Sequence, residues 1–140
     1  MRVLTLGSFD TSHYGHIKFL KKCRAFGEVW VGLNTDEFIE KYKGKKPIFN
    51  YQERSTFLKE TDLVECVVPN SQPDGTIKDV VDFVIPDIIV IGSDWMRKDY
   101  LKQIGLDPDY LDENNISLAY VPYTWSISST EIKRRICALV

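Results

Sequence analysis

The chain has 140 residues, of which 44% are hydrophobic and 27% charged, and a formal net charge of −2. This length and mix fit one domain, residues 1–140, whose apolar core needs neither a disulfide framework nor a structural metal. The balance of charge excludes a general nucleic-acid binder, and no apolar run is long enough to span a membrane. Cys23, Cys66 and Cys137 stand far apart with no C-x-x-C spacing, each in an apolar or amphipathic segment. They read as buried free thiols, which favours a reducing, cytoplasmic setting. Met1-Arg2-Val3-Leu4 enters a strand directly, so no secretory leader is expected.

The first strand is expected at Val3–Leu6, followed by a small-residue turn and a helix from about Gly15 to Phe26 that Gly27 can end. Glu28–Asn34 is apolar almost throughout, as in a parallel strand covered on both faces. A short helix capped by Asn34 or Thr35 then gives way to the basic loop Lys41-Tyr42-Lys43-Gly44-Lys45-Lys46-Pro47. Asn50 with Glu53 forms a capping pattern for the next helix. A third strand is expected at Leu63–Val68, a loop over residues 69–75, and a helix from Ile77 that stops at Pro86. Asp87–Ile91 reads as the most buried strand and runs into Gly92-Ser93-Asp94-Trp95. Surface helices are expected at Arg97–Ile104 and Asp109–Asn114, a fifth strand at Ser117–Pro122, and a last helix from Ser129 to about Leu139. Strands alternating with helices predict an α/β, doubly wound five-stranded parallel sheet of Rossmann-like type. In such sheets ligands lie beyond the carboxyl ends of the strands. The polar motifs after strands one, four and five therefore share one rim.

The turn Gly7-Ser8-Phe9-Asp10-Thr11-Ser12-His13-Tyr14-Gly15-His16 carries both histidines of the chain. A turn opening a helix offers free N–H groups and the positive end of the helix dipole, which suits an anion. Three-residue spacing puts both imidazoles near one face. Asp10 has three roles open to it: orienting the turn, capping the helix, or helping to hold a metal. At the other end of the chain, Ser128 with Glu131 makes a second capping box, with Ser129 and Thr130 beside it.

The first stretch resembles the G-x-F-D-x-x-H-x-G-H signature of the cytidylyltransferase-like nucleotidyltransferases. Ile127-Ser128-Ser129-Thr130 resembles the second signature of that superfamily, which opens the last helix. Asn34-Thr35-Asp36-Glu37-Phe38, the basic loop, Tyr51-Gln52-Glu53-Arg54 and Gly92-Ser93-Asp94-Trp95 resemble corresponding stretches of its short bacterial glycerol-3-phosphate cytidylyltransferase group. The resemblance implies attack of an acceptor phosphate oxygen on the α-phosphorus of a triphosphate, with release of pyrophosphate. It makes His13, His16, Lys43 and Lys45 catalytic. It assigns Gly7, Ser8, Phe9, Asp10, Gly15, Gly92, Asp94, Thr124, Ile127, Ser128, Ser129 and Thr130 to the nucleotide, and Arg54, Lys43 and Lys45 to the acceptor phosphate. Mg²⁺ would be held by Asp94, with Asp10 as a further candidate. The implied substrates are CTP and a small phosphorylated alcohol such as glycerol 3-phosphate, and the implied assembly is a homodimer. An adenylyltransferase using ATP and a non-catalytic nucleotide-binding protein are the alternatives. One segment departs from the group: Tyr123-Thr124-Trp125-Ser126 stands where its members read Arg-Thr-Glu-Gly, and only the threonine is kept.

Overall fold

In the computed structural model, which describes residues 1–140, the chain runs β1 Arg2–Gly7, α1 Tyr14–Arg24, β2 Glu28–Asn34, α2 Asp36–Lys43 and α3 Tyr51–Glu60. It continues through β3 Cys66–Asn70, α4 Lys78–Val84, β4 Ile88–Gly92 and a 3-10 turn at Ser93–Trp95. α5 Tyr100–Ile104, α6 Pro108–Glu113, β5 Ser117–Val121 and α7 Ser129–Leu139 complete it. All five strands are parallel, in the order β3-β2-β1-β4-β5, so the α/β doubly wound sheet is as expected.

Alternation along the strands feeds two cores. Val3, Val29, Val31, Leu33, Ile88 and Val90 pack on one face, against Leu20 and Cys23 of α1 and Leu58 of α3. Leu4, Ile89 and Ile91 pack on the other, against Val80, Val81 and Val84 of α4, Tyr100 and Ile104 of α5, and Leu111 of α6. A Cβ on Gly32 would sit 3.0 Å from Leu6 Cδ2, so the glycine makes room for the β1 side chain beside it.

The order of strands reverses between β1 and β4, and those two strands pair only through Val3–Ile88 and Leu4–Ile89. Beyond that point they part. A crevice opens at their carboxyl ends, where this class of sheet binds ligands. Leu6 and Ile91 form its walls.

Some elements differ from expectation. β3 lies a few residues later and runs through Pro69 to Asn70; as an edge strand it tolerates a proline. The helix expected from Arg97 starts only at Tyr100, capped by Asp99, and it buries Tyr100 and Ile104 rather than lying on the surface. Cys23 is buried, with its thiol pushed up to about 12 by desolvation, and Cys66 is half-buried. Cys137 is exposed, because α7 buries none of its side chains.

Candidate active site

α1 begins at Tyr14 with His13 as its N-cap. His13 Nδ1 accepts from Gly15 N at 3.0 Å, and His16 Nδ1 accepts from His13 N at 3.1 Å. The two histidines thus make a reciprocal capping box, the geometry usually built from a serine or threonine and a glutamate. A ring nitrogen that accepts carries no proton, so each neutral imidazole carries its hydrogen on Nε2. The ring centroids are 4.0 Å apart, and both rings line the crevice. Burial pushes His13 below its usual value, and burial together with neighbouring His13 pushes His16 down to about 4. At neutral pH the pair is a set of two uncharged N–H donors.

Gly15 is required by this arrangement. A Cβ there would lie 2.8 Å from His13 Cε1 and 3.1 Å from Ile127 Cγ2. Ile127 itself is buried and lines neither cleft, so it does not contact a nucleotide as expected; it packs the start of α7 against the turn.

α7 meets the turn head-on. Ser128 caps it by accepting from Glu131 N at 3.0 Å, and Ser129 Oγ donates to Asp10 O at 2.6 Å. The expected capping box is only half formed, because the Glu131 carboxylate is taken by Arg134 and Arg135. Those guanidiniums hold it down at about 2. Ser128, Ser129 and Thr130 line the crevice from the side opposite β4, and the free N–H groups of an eleven-residue helix face it there.

The crevice has two adjoining compartments, of about 310 and 390 Å³. Gly7, Ser8, Phe9, His16, Asp94 and Thr130 border both. His13, Gly15, Gly92, Tyr123 and Thr124 belong to the first; Asp10, Asn34, Lys43, Asn70 and Lys133 belong to the second. Gly92 lets the Asp94 carboxylate fold back over the backbone, since a Cβ there would lie 2.6 Å from Asp94 Oδ1.

Three expectations change. Asp10 is neither a helix cap nor free for a metal. Its oxygens accept from Ile48 N, Phe49 N and Thr11 N, and Lys133 Nζ lies 3.6 Å away. Burial pushes its carboxyl up, but these amides and the lysine outweigh burial and leave it below the usual range. Asp10 therefore orients the turn, and it moors the end of the basic loop.

Arg54 does not face an acceptor phosphate. It is 1% exposed, and its guanidinium donates to Phe49 O at 2.9 Å, Ser8 O at 2.8 Å, Asn34 O at 2.8 Å and Asp36 Oδ1 at 2.6 Å. It ties the carboxyl ends of β1 and β2 to the loop. Lys43 borders the second compartment, whereas Lys45 is exposed on the loop and borders neither, because Gly44 in left-handed conformation turns the chain away. Trp125 is 79% exposed and packs edge-on against Tyr123 at 4.9 Å.

The structure also brings in residues the sequence did not single out. Asn70 Nδ2 donates to Asn34 Oδ1 at 2.9 Å, and Asn34 Nδ2 donates to Ser8 Oγ at 3.0 Å. This ladder crosses the carboxyl rim of β3, β2 and β1. Asn34 ends an expected strand, whereas Asn70 falls in an expected loop, so nothing in the sequence pairs them. Lys133 of α7 points back to Asp10.

No group of three or more histidine, cysteine, aspartate or glutamate side chains forms a metal cage. Mg²⁺ does not require one: it commonly takes one or two carboxylates, with phosphate oxygens and water completing the shell. Asp94 fits that use. It borders both compartments, and its carboxylate makes no hydrogen bond or ion pair with the protein.

A family model described as cytidylyltransferase-like matches residues 4–135. Glycerol-3-phosphate cytidylyltransferase of Bacillus spizizenii is 37% identical over 99% of this chain and 98% of that protein. The Staphylococcus aureus protein of the same name is 34% identical over 96% and 94% respectively. Among solved structures, a lipopolysaccharide core biosynthesis protein from Thermoplasma volcanium superposes with a TM-score of 0.68 at 28% identity, covering 89% of this chain and 96% of that one. With both signature stretches converging on one crevice of a parallel sheet, and relatives matched end to end, the chain belongs to the cytidylyltransferase-like family and is a nucleotidyltransferase.

Proposed function

We infer that the protein transfers CMP from CTP to glycerol 3-phosphate and releases pyrophosphate. The observation that carries this is the pair of Nε2–H donors at His13 and His16, set in the crevice between β1 and β4 and facing the first turn of α7. The full-length likeness to glycerol-3-phosphate cytidylyltransferases supplies the nucleotide and the acceptor.

The chemistry follows from what these groups can do. An oxygen of the acceptor phosphate forms the new bond to the α-phosphorus, and the bond from that phosphorus to the bridging oxygen of the β-phosphate breaks. The attacking oxygen is already an anion, so no general base is needed. Catalysis is alignment plus stabilisation of charge on the equatorial and leaving oxygens. His13 and His16 donate to the α- and β-phosphate oxygens, and the amides of Ser129 and Thr130 take the outer phosphates. Lys43 sits on the acceptor side, and Lys45 reaches the phosphates through movement of its loop. Asp94, together with the phosphates, would hold Mg²⁺, which would supply charge neutralisation on the leaving pyrophosphate. A cytoplasmic homodimer completes the proposal, and sedimentation of the purified protein tests the dimer.

Pyrophosphate release should be measured with each of the four ribonucleoside triphosphates, with and without glycerol 3-phosphate. Release is expected with CTP and only in the presence of the acceptor. Equal or faster release with ATP would replace the cytidylyl assignment by an adenylyl one. Triphosphate binding with no turnover on any phosphorylated alcohol would reject enzymatic transfer.

A further inference from the structure

The second compartment mixes charged and uncharged polar side chains. Its charged residues are Lys43, Lys133, Asp10 and Asp94, with Lys133 Nζ 3.6 Å from Asp10 Oδ2. The rest of its polar lining is uncharged and includes Asn34, Asn70, Gln72, Gln103 and Tyr42. A ligand with an anionic group and a neutral polar body matches that mixture.

Asn70 sharpens the match. It is 2% exposed, and its Oδ1 has no hydrogen-bond partner, although its Nδ2 is engaged with Asn34. An unpaired buried amide atom is costly, by roughly 1–3 kcal/mol. Turning every amide of the ladder over would only exchange the orphan, leaving an unpaired N–H in place of an unpaired oxygen. A hydroxyl both donates and accepts, so it satisfies either arrangement. A carboxylate cannot donate, and an ammonium cannot accept. Tyr100, whose buried hydroxyl also has no partner, is among the residues lining the same compartment.

We propose that the uncharged amides of this compartment read the alcohol groups of the acceptor, and that Asn70 is the residue that selects a polyol phosphate over an alkyl phosphate. This rests on the transferase assignment above. The acceptor's phosphate lies toward Lys43 and Lys133, its carbon chain runs along the rim of β2 and β3, and a hydroxyl closes the open position of the Asn70 amide. The ladder through Asn34 to Ser8 fixes that amide relative to the catalytic turn. Asn70 thereby couples recognition of the hydroxyl to alignment of the phosphate.

The test is kcat/KM with CTP for two acceptors, glycerol 3-phosphate and propyl phosphate, in the wild type and in Asn70→Leu and Tyr100→Phe. The wild type is expected to prefer glycerol 3-phosphate by roughly tenfold to a hundredfold. In Asn70→Leu that ratio should fall close to one, with KM for CTP unchanged. Because the ratio is taken within one protein, a loss of folded material does not move it. Tyr100→Phe, which keeps the ring in place, should lower the ratio by a smaller factor. A ratio unchanged in Asn70→Leu overturns the proposal while leaving the transferase intact. No turnover of either acceptor by the wild type overturns the transferase assignment and this proposal with it.

Discussion

His16 does two jobs with its two nitrogens. Nδ1 closes the cap of α1, and Nε2–H is left for the ligand. His16→Ala should lower kcat by roughly 10²–10³, the effect of removing one donor to developing charge, while costing only about 1 kcal/mol of stability for the lost cap. Steady-state kinetics beside urea unfolding measure the two effects separately; normal turnover in the variant would refute the mechanism. Acid acts on the same residue. His16 lies at about 4 in the folded chain against 6.5 when unperturbed, so between those values the unfolded chain binds a proton that the folded chain refuses. Its stabilising contribution is thus complete above about pH 6.5 and is lost as pH falls through about 4. Urea midpoints should fall more steeply from about pH 7 to about pH 4.5 in the wild type than in His16→Asn, whose side chain can accept the same hydrogen bond without titrating. Parallel decline would assign the acid sensitivity to other groups.

Arg54 shows how one helix holds an active site it does not touch. From α3 it satisfies three backbone carbonyls and the Asp36 carboxylate, at the ends of β1 and β2 and in the loop before its own helix. Removing one partner of a buried charged network leaves the rest unpaired, so Arg54→Ala should cost about 3–5 kcal/mol. Lysine cannot reproduce the planar fork, and Arg54→Lys should recover only part of that loss. The exposed Arg135→Ala should change stability by less than about 1 kcal/mol. Denaturant unfolding of the three variants decides whether Arg54 is structural; wild-type stability in Arg54→Ala would return it to the phosphate. This arginine also marks where sequence reading stopped. The histidine turn was legible because its determinants lie within ten residues: the spacing, the glycine and the helix start. The partners of Arg54 lie five to forty-six positions away, and nothing local distinguishes a buried guanidinium from a surface one. The same holds for Asn34 and Asn70, whose pairing depends on the register of two parallel strands. The parallel, doubly wound sheet, by contrast, followed from the alternation of strands and helices.

The crevice is assembled from both ends of the chain: the turn after β1, the Gly92–Trp95 segment after β4, and the first turn of α7. α7 buries none of its own side chains, and a hydrogen bond from Ser129 to Asp10 joins its start to the turn. A triphosphate bridging that junction therefore stabilises the sheet and the last helix together. At a hundred times its dissociation constant a ligand adds about 2.7 kcal/mol, and in a chain of this size each kcal/mol raises the melting temperature by roughly 2–4 °C. CTP with Mg²⁺ should accordingly raise it by about 5–10 °C. Ser129→Ala should reduce the rise by loosening the seat of α7 without removing any amide from the site. Asp94→Asn separates the metal from the nucleotide. In the wild type the rise with CTP should be larger in Mg²⁺ than in chelator, and in Asp94→Asn that difference should vanish while the rise in chelator persists, because the histidines and the α7 amides are untouched. An equal Mg²⁺ increment in both proteins would remove Asp94 from the metal site and leave the ion held by the phosphates alone.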